Sequence, residues 1–553
     1  MKKSSTQIFL ILFLLVLVPS IAQEDSTHVQ KIDSLFLQWN RPNHPGGAIG
    51  VVKDGKTIFS RAYGLASLEY LVPNSTGTIF NTGSVSKQFT AMGIVRLEEQ
   101  GKLSFDDAIH KYLPELPDFG HPITIRQMLH HTSGLRSLHA LFALAGWRGD
   151  DARTNEDLNR IILKQKDLNF EPGAEYLYCN TGYMLMVNII EKVSGKPFPE
   201  WMQEHIFDPL GMIHTYVEDQ YNRVVPDNAT SYYGREKFQR AVEYWGYVGS
   251  GNMHSTTADL LTWLSNFRAP QKGWESAFRT MQTVDPFNDG TPNNYAFGVV
   301  VDEHLGKKRI QHGGSIGGFR AFVATYPGEA LDIVVLTNFS AGNPGGNAAR
   351  IAEIVLGKPV GDGAEDIAPA TIKLSSEELA PFEGAYWNSR ERYLRKIYLK
   401  ADTLRYWRSE SSESALVPVG KNAFKMMGAG DGVRVTFESS DDGRHIRFAE
   451  NGIVTAVFES VEDTEVSPED WSEYTGSYYS PEIENTYTLS MEEDELQMHH
   501  PRHGAIPLKP LFRDVFSGEW PVGTVEIQRN PAGRVTGVLI SNGRVRNAWF
   551  EKQ

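Results

Sequence analysis

The last third of the chain contains one strand-rich pattern twice, and this repeat constrains the fold more than any other feature. The stretch Phe382-Glu383-Gly384-Ala385-Tyr386 resembles Tyr474-Thr475-Gly476-Ser477-Tyr478, about 90 residues later. Asn451-Gly452 and Asn542-Gly543, near the end of each copy, favour β-hairpin turns. Short alternating strands at this period predict two tandem β-barrels, each a meander of about eight strands. One large β-domain with internal symmetry is the alternative.

The chain before this repeat has a different pattern, in which helical periodicity and strands are mixed. With 553 residues, the chain is too long for a single hydrophobic core. A stretch rich in Gly, Pro, Ala and Asp separates the two patterns and suits a linker. We therefore predict a signal peptide, an α+β domain, a linker and two β-barrel domains, at residues 1–22, 23–357, 358–376, 377–462 and 467–553.

Residues 1–22 have the features of a secretory signal peptide. Two lysines follow the first methionine, and residues 8–18 form an apolar run. The small residues Ser20 and Ala22 suit cleavage before Gln23. The run is too short to span a bilayer, and no later stretch is long and apolar enough to do so. We expect an exported protein, periplasmic or secreted, without a membrane span in the mature chain.

The net charge and the cysteine content argue against some classes of function. The net charge is −14, and removing residues 1–22, with two lysines and no acidic residue, makes it −16. An acidic chain of this kind is a poor candidate for nucleic-acid binding, because phosphate contacts need clustered Lys and Arg. Cys179 is the only cysteine, which excludes an internal disulfide. We interpret it as a small buried residue rather than as a nucleophile.

Residues 81–87 open a predicted amphipathic helix and carry a candidate nucleophile. Ser84 and Lys87 are three residues apart, so a helix places both side chains on one face. A partly desolvated lysine amine can take the proton of a serine hydroxyl. Free N–H groups at the helix N-terminus favour the developing negative charge. The spacing is the S-x-x-K signature of penicillin-recognising serine enzymes.

Two further motifs follow in a fixed order. Tyr178-Cys179-Asn180 supplies a phenol and an amide, and His312-Gly313-Gly314-Ser315 supplies an imidazole followed by bare backbone. The order S-x-x-K, Y-x-N, H-x-G resembles the serine hydrolase family that contains class C β-lactamases, penicillin-binding DD-peptidases, D-aminopeptidases and related esterases. His44-Pro45-Gly46 and Tyr386-Trp387-Asn388 match single motifs but lie outside this order.

Flanking segments extend the resemblance over about residues 28–357. His131-Thr132-Ser133-Gly134-Leu135 resembles the H-T-S-G-L stretch that follows the serine helix in this family, and residues 250–256 resemble a glycine-rich turn before a late helix. The resemblance implies a β-lactamase-like α+β catalytic domain. Two small antiparallel, lipocalin-like β-barrels after it match the layout of bacterial D-aminopeptidases. Those enzymes carry H-x-G where β-lactamases more often have K-T-G.

The resemblance implies a role for each residue of the first two motifs. Ser84 would be the nucleophile. Its proton would pass to Lys87 or to Tyr178, and the sequence does not decide between them. Tyr178 could work near neutral pH only if neighbouring cations lower its pKa. Asn180 has both a donor and an acceptor, so it could hydrogen-bond Lys87 and the substrate amide.

The third motif would bind substrate. Gly313 and Gly314 would let the substrate lie beside their strand as an added β-strand. The N–H groups of Ser84 and Ser315 would form the oxyanion hole. His312 stands where β-lactamases have lysine, and a histidine is mostly neutral above pH 7. This difference favours substrates whose recognised end is not a carboxylate.

Histidines outside the three motifs have weaker functional interpretations. His130 and His131 lie at a predicted helix end, which favours a structural role. His499, His500 and His503 lie in a predicted polar loop of the last repeat, where no carboxylate or cysteine spacing completes a metal site. The loop could lean over the active site, as the last barrel of D-aminopeptidase-like enzymes does, or simply face solvent.

Together these features predict a serine peptidase or amidase that forms an acyl-enzyme on Ser84 and cleaves a small D-amino-acid-containing peptide or amide. A carboxylesterase or a weak β-lactamase on the same machinery is the alternative. A slowly acylating penicillin-binding sensor is an alternative of another class. We expect a small peptide, amide or ester as substrate, and no metal or cofactor. Exposed barrel edges make a homo-oligomer possible.

Overall fold

A computed structural model describes residues 20–357, 371–409, 412–427, 433–440, 443–450, 453–462 and 468–553. Most of the predicted signal peptide and linker, and the predicted Asn451-Gly452 turn, lie outside the described residues. Among the helices in the described ranges, none is both long enough and apolar enough to cross a membrane.

A six-stranded antiparallel sheet forms the centre of the first domain (residues 20–357), with strand order β10-β11-β12-β13-β1-β2. Asp54-Gly55 favours a hairpin turn and predicts that residues 48–52 and 57–62 pair as a β-hairpin. The structure confirms this hairpin, with positive φ angles of 52° at Asp54 and 74° at Gly55. Strand β1 also pairs with β13, so the start and the end of the domain share one sheet. The strands are β1 Gly47–Lys53, β2 Lys56–Tyr63, β3 Leu65–Ser67, β4 Val72–Pro73, β5 Phe80–Asn81, β6 Tyr216–Val217, β7 Tyr232–Tyr233, β8 Gln239–Arg240, β9 Met253–Ser255, β10 Val300–His304, β11 Lys307–Ile316, β12 Phe319–Tyr326 and β13 Leu331–Thr337.

Helix α2 runs through the middle of this domain, and Lys87 lies near its start. The sequence predicts an amphipathic helix, but 11 of its 14 residues are buried, because other helices, α6 and α10 among them, pack around it. The mixed α and β composition of the domain is as predicted, whereas the burial of α2 on all sides is not. The helices are α1 Ser20–Phe36, α2 Ser86–Glu99, α3 Ile125–Leu129, α4 Leu138–Leu144, α5 Asn155–Ile162, α6 Asn180–Ser194, α7 Phe198–Met202, α8 Asp208–Leu210, α9 Thr257–Ser265, α10 Glu275–Thr280 and α11 Pro344–Leu356.

One predicted strand of the first domain begins later than expected. The alternating pattern predicts a strand over residues 295–301, but β10 starts only at Val300. Gly298 has a φ of 74°, and a Cβ at this position would lie 2.7 Å from the Lys87 carbonyl carbon. The segment is therefore a turn that packs against the backbone of α2, and a side chain at Gly298 would push into it.

Two closed barrels of eight antiparallel strands each follow, with strands in sequence order. The prediction of two tandem β-meanders is confirmed, and the single large β-domain is wrong. Helix α12 (Ser376–Leu379) precedes the first barrel. The strands are β14 Gly384–Asn388, β15 Tyr393–Lys400, β16 Thr403–Ser409, β17 Ser412–Pro418, β18 Ala423–Met426, β19 Val433–Ser440, β20 Gly443–Glu450, β21 Ile453–Val461, and β22 Gly476–Ser480, β23 Asn485–Glu492, β24 Glu495–His500, β25 Gly504–Phe512, β26 Val515–Gly518, β27 Thr524–Arg529, β28 Val535–Ser541, β29 Ala548–Lys552.

The two barrels are attached to the first domain in different ways. The first barrel has its own apolar core, whereas the apolar core of the second barrel is continuous with that of the first domain. Arg136 and Glu482 form an ion pair of 2.6 Å across this second junction, with 1% and 3% of their side chains exposed. Arg136 also donates to the carbonyls of Arg546 and Asn547, each at 3.1 Å. The second barrel is therefore fixed against the first domain.

Breaking this buried pair is expected to loosen the second barrel. Glu482→Gln leaves the Arg136 guanidinium buried without a counter-ion, which should cost about 3–5 kcal/mol of unfolding free energy. Hydrogen exchange along β28 and β29 would show the loss as faster local opening. The matched control is Glu156→Gln, because the Glu156–Arg160 pair is 76% and 70% exposed and contributes little. Equal protection in both variants would contradict a stabilising role for the buried pair.

Candidate active site

Ser84 lies in the 3-10 turn Gly83–Val85, immediately before α2. Strand β11 packs tightly against this turn. A Cβ on Gly314 would lie 1.9 Å from the Thr82 carbonyl oxygen, and one on Gly83 would lie 2.6 Å from the Ser315 nitrogen. Only glycines at these two positions allow the strand to approach the serine turn this closely. The first and third motifs are thus brought together by backbone packing.

Lys87 lies one turn further along and faces Ser84, as the three-residue spacing predicts. Its Nζ is 3.2 Å from Ser84 Oγ and donates to the Ser250 carbonyl at 2.7 Å. The side chain is fully buried, with Nζ 4.7 Å from the ring centroid of Tyr178. Burial lowers the pKa of Lys87 well below its ordinary value, and the positive charge of Arg544 acts in the same direction. Both effects favour the neutral amine, which can accept a proton.

Tyr178 precedes α6, lines the cavity and lies beside Lys87. Burial raises the pKa of its phenol above the ordinary value, and the neighbouring Ser84 hydroxyl opposes this only in part. His131 holds the segment in place, because its Nδ1 accepts the Cys179 N–H at 3.0 Å and its ring lies 4.2 Å from that of Tyr178. These contacts support the structural interpretation of His131. Cys179 is buried, which raises the pKa of its thiol.

Asn180 begins helix α6, and its backbone N–H donates to Ser137 Oγ at 3.2 Å. The predicted hydrogen bond between Asn180 and Lys87 does not occur within the described part of the chain, because Lys87 uses Ser84 and the Ser250 carbonyl instead. The side-chain oxygen of Asn180 has no hydrogen-bond partner among the described residues, although the residue lines the cavity. This oxygen is itself buried, so its unpaired state alone does not make it a contact for a substrate amide.

His312 lies on β11 and lines the cavity. Its Nδ1–H donates to the Gly313 carbonyl at 2.6 Å, which leaves Nε2 to accept the hydroxyl of Tyr295 at 3.0 Å. Burial, and then the positive charge of Lys87, lowers the pKa of His312 to about 3. The imidazole is therefore neutral at physiological pH and supplies no positive charge to a substrate.

The third motif also presents an open strand edge. The pairing of β10 with β11 ends at Gln311, so Gly313–Ser315 pair with β12 alone and no described strand covers their other edge. A substrate backbone can lie along this edge, as the sequence predicts. Gly313, Gly314 and Ser315 line the same cavity as Ser84.

The site opens into a cavity of about 1070 Å³. Besides the motif residues, its lining includes three arginines, Arg235, Arg320 and Arg544. No Asp or Glu of the described residues lines it. Its electrostatic character is therefore cationic, in contrast to the acidic chain as a whole.

Arg544 is the cavity residue that sequence analysis missed most completely. It follows the predicted Asn542-Gly543 turn, which joins β28 to β29 in the second barrel. Asn542-Gly543 indicates a turn at this place, but nothing in the sequence shows that the turn lies at the cavity around Ser84. Ser250 and Tyr295, which hold Lys87 and His312, were missed for the same reason.

The prediction that a polar loop of the last repeat holds His499, His500 and His503 is wrong for the first two and correct for His503. His499 and His500 end strand β24, and His503 contacts the Ala143 carbonyl at 2.9 Å. His500 and His503 lie at the junction with α4 and the residues that follow it, whereas His499 faces Glu492 of its own barrel. None of the three lines the cavity. No group of three or more potential metal-ligating side chains occurs in the described ranges. The second barrel does reach the cavity, but through the turn that carries Arg544.

Comparisons with known proteins match the first domain. The family model described as Beta-lactamase matches residues 32–357, which is more than half of the chain. The D-aminopeptidase of Cereibacter sphaeroides (strain ATCC 17029 / ATH 2.4.9) is 32% identical over 300 residues, covering 54% of this chain and 57% of that enzyme. Penicillin-binding protein 4* of Bacillus subtilis (strain 168) is 30% identical over 340 residues, covering 57% of this chain and 72% of that protein.

A solved structure resembles a larger part of the chain. The octameric penicillin-binding protein homologue from Pyrococcus abyssi superposes with a TM-score of 0.52 at 24% identity, over 80% of this chain and 100% of that chain. At this identity the likeness concerns the fold. The chain spans little more than half the length of the D-aminopeptidase that it matches.

Proposed function

The chain belongs to the Beta-lactamase family, and we propose that it is a serine hydrolase that cleaves an amide or peptide bond through an acyl-enzyme on Ser84. One observation carries the proposal. Ser84 Oγ lies 3.2 Å from the amine of a fully buried lysine, beside a cavity and an open strand edge. Nucleophile, base and substrate edge are therefore present together.

Acylation would begin with neutral Lys87. Its amine takes the Ser84 proton as Oγ attacks the substrate carbonyl, and a tetrahedral oxyanion forms. The N–H groups of Ser84 and Ser315 are the proposed donors to that oxyanion. The C–N bond then breaks, the leaving amine takes the proton that Lys87 had gained, and the acyl group stays on Ser84 as an ester. Water attacks this ester and gives a proton to the neutral Lys87. The bond between Ser84 Oγ and the acyl carbon then breaks, Lys87 returns the proton to Oγ, and the acid is released.

The pKa directions favour Lys87 over Tyr178 as the base. A base must be unprotonated before the reaction, and burial lowers the pKa of Lys87 while it raises that of Tyr178. A protonated Tyr178 next to Lys87 can instead pass a proton to the leaving amine. We propose this division of roles, with the phenol as the relay.

The proposed substrate is a small peptide or amide that contains a D-amino acid. The D-aminopeptidase relatives and the H-x-G motif support this choice. The cavity volume of about 1070 Å³ accommodates a short peptide. A carboxylesterase, a weak β-lactamase and a slowly acylating sensor use the same Ser84 and are outcomes of the test below.

Matched p-nitroanilides test the substrate class. The D- and L-alanine anilides, each with a free and an acetylated amino end, are compared on the full chain and on Ser84→Ala. We expect nitroaniline release at least about tenfold faster from a D form than from its L form, and only with Ser84 present. Equal rates for D and L forms would contradict the stereochemical proposal. Turnover of short esters alone would favour the esterase, and a trapped, unhydrolysed β-lactam would favour the sensor.

Export and homo-oligomer formation remain predictions. The relative from Pyrococcus abyssi is described as octameric, which makes light scattering of the purified chain a direct test of assembly here.

A further inference from the structure

The turn that carries Arg544 is held firmly against the first domain. The Arg544 carbonyl accepts the Ser137 N–H at 3.1 Å and the Asn169 side-chain amide at 3.2 Å. The Arg546 N–H donates back to Asn169 Oδ1 at 2.8 Å. The backbone of a barrel turn is thereby fixed at the rim of the cavity around Ser84.

The side chain of Arg544 points into this cavity without a counter-ion. Its guanidinium carbon lies 4.9 Å from the centroid of the Tyr178 ring. It makes no ion pair and no side-chain hydrogen bond with any described residue, and it is exposed. Two neighbouring arginines, by contrast, have a carboxylate counter-ion. Arg546 is paired with Glu175 at 2.9 Å, and Arg136 is paired with Glu482 at 2.6 Å.

The other two arginines of the cavity are less suited to bind an anion beside Ser84. Arg320 already donates to the carbonyls of Gly317 and Phe319. Arg235 lies in the segment between β7 and β8. Arg544 instead lies over the ring of Tyr178, and Lys87 lies beside the same ring. Arg544 is therefore the cation placed next to the reacting groups.

We propose that the cavity takes substrates that carry a carboxylate near the scissile bond, and that Arg544 of the second barrel binds this carboxylate. The inference rests on the proposed hydrolase function and specifies its substrate class. A neutral His312 alone favours a recognised end without a carboxylate, which is the preference predicted from the sequence. Arg544 reverses this preference, because it supplies from the second barrel the positive charge that His312 lacks.

The same electrostatics disfavour a free substrate amine. An ammonium group in this cavity would meet Arg544 and no described carboxylate. A carboxylate would instead form charge-assisted, bidentate hydrogen bonds with the guanidinium, among the strongest that a side chain makes. We therefore expect acidic substrates to be preferred to matched neutral ones.

Two matched substrate pairs test this preference on the full chain. The first pair is hippuryl thioglycolate and its methyl ester, which differ in a leaving-group carboxylate. The second pair is glutaryl- and acetyl-D-alanine p-nitroanilide, which differ in an acyl-side carboxylate. The readout is the ratio of kcat/KM for the acid to kcat/KM for its neutral partner. This ratio cancels any effect of Arg544 on Lys87, because both substrates share that step.

We expect Arg544→Gln to lower this ratio about 10- to 100-fold for at least one pair. Arg544→Lys should restore part of it. The matched control is Arg534→Gln, an exposed arginine of the same barrel outside the cavity lining, and it should leave the ratio unchanged. Equal losses for acid and neutral substrates in both pairs would overturn the proposal, while Ser84-dependent turnover would still support the hydrolase function.

A binding measurement covers the case in which none of these substrates is cleaved. In the Ser84→Ala background, calorimetry gives the Kd of N-acetyl-D-alanine with and without Arg544→Gln. A tenfold or greater weakening supports the carboxylate site even if the proposed hydrolysis fails. An unchanged Kd, or no binding to either protein, overturns it.

Discussion

Ser84→Ala is expected to reduce kcat by at least about 10⁴-fold and to leave substrate affinity within a few-fold. The variant removes one oxygen from a rigid turn that the backbone of β11 holds in place. The cavity, the strand edge and Lys87 all remain, so substrate still binds but no acyl-enzyme can form. Steady-state kinetics and calorimetric titration measure the two quantities separately.

Ser340→Ala is the matched control, because Ser340 also lines the cavity and its hydroxyl, among the described residues, accepts only the backbone N–H of Gly234. It should keep most of the activity. Mass spectrometry of a slowly hydrolysed substrate should show one added acyl group on the parent protein and none on Ser84→Ala. Turnover by Ser84→Ala near the parent rate would disprove the assignment of the nucleophile.

Replacing Lys87 with methionine should lower kcat/KM by about 10²–10⁴-fold, the usual contribution of a general base. Methionine keeps an unbranched side chain in this buried site and removes the amine. The parent kcat/KM should rise with pH through the lowered pKa of Lys87 and then level off, because only the neutral amine accepts the serine proton. In Lys87→Met this rise should disappear.

Tyr178→Phe is the matched comparison, since it removes a single hydroxyl next to the same groups. We expect a smaller loss and a pH profile that keeps its rise, because Lys87 still acts as the base. A larger loss in Tyr178→Phe, with the rise abolished, would assign the base to the phenol instead. Thermal unfolding of both variants separates these effects from damage to the fold.

Local sequence patterns predicted the elements whose geometry depends on near neighbours. The hairpin around Asp54-Gly55 and the pairing of Ser84 with Lys87 need only turn chemistry and helix periodicity. The two barrels follow from alternating strands at a fixed repeat. The strand predicted over residues 295–301 failed because Gly298 packs against α2, a contact that alternation does not reveal.

The sequence by itself determined the order of the motifs, the facing of Ser84 and Lys87, and the barrel count, because spacing and periodicity are local properties of a chain. Only the tertiary structure decided how far Lys87 and Tyr178 are desolvated and how the cavity is charged. The pKa of Lys87 depends on burial beside Tyr178 and Tyr183 and on Arg544, which follows it by more than 400 residues. Desolvation and long-range charge are properties of packing, so they exist only once distant segments meet.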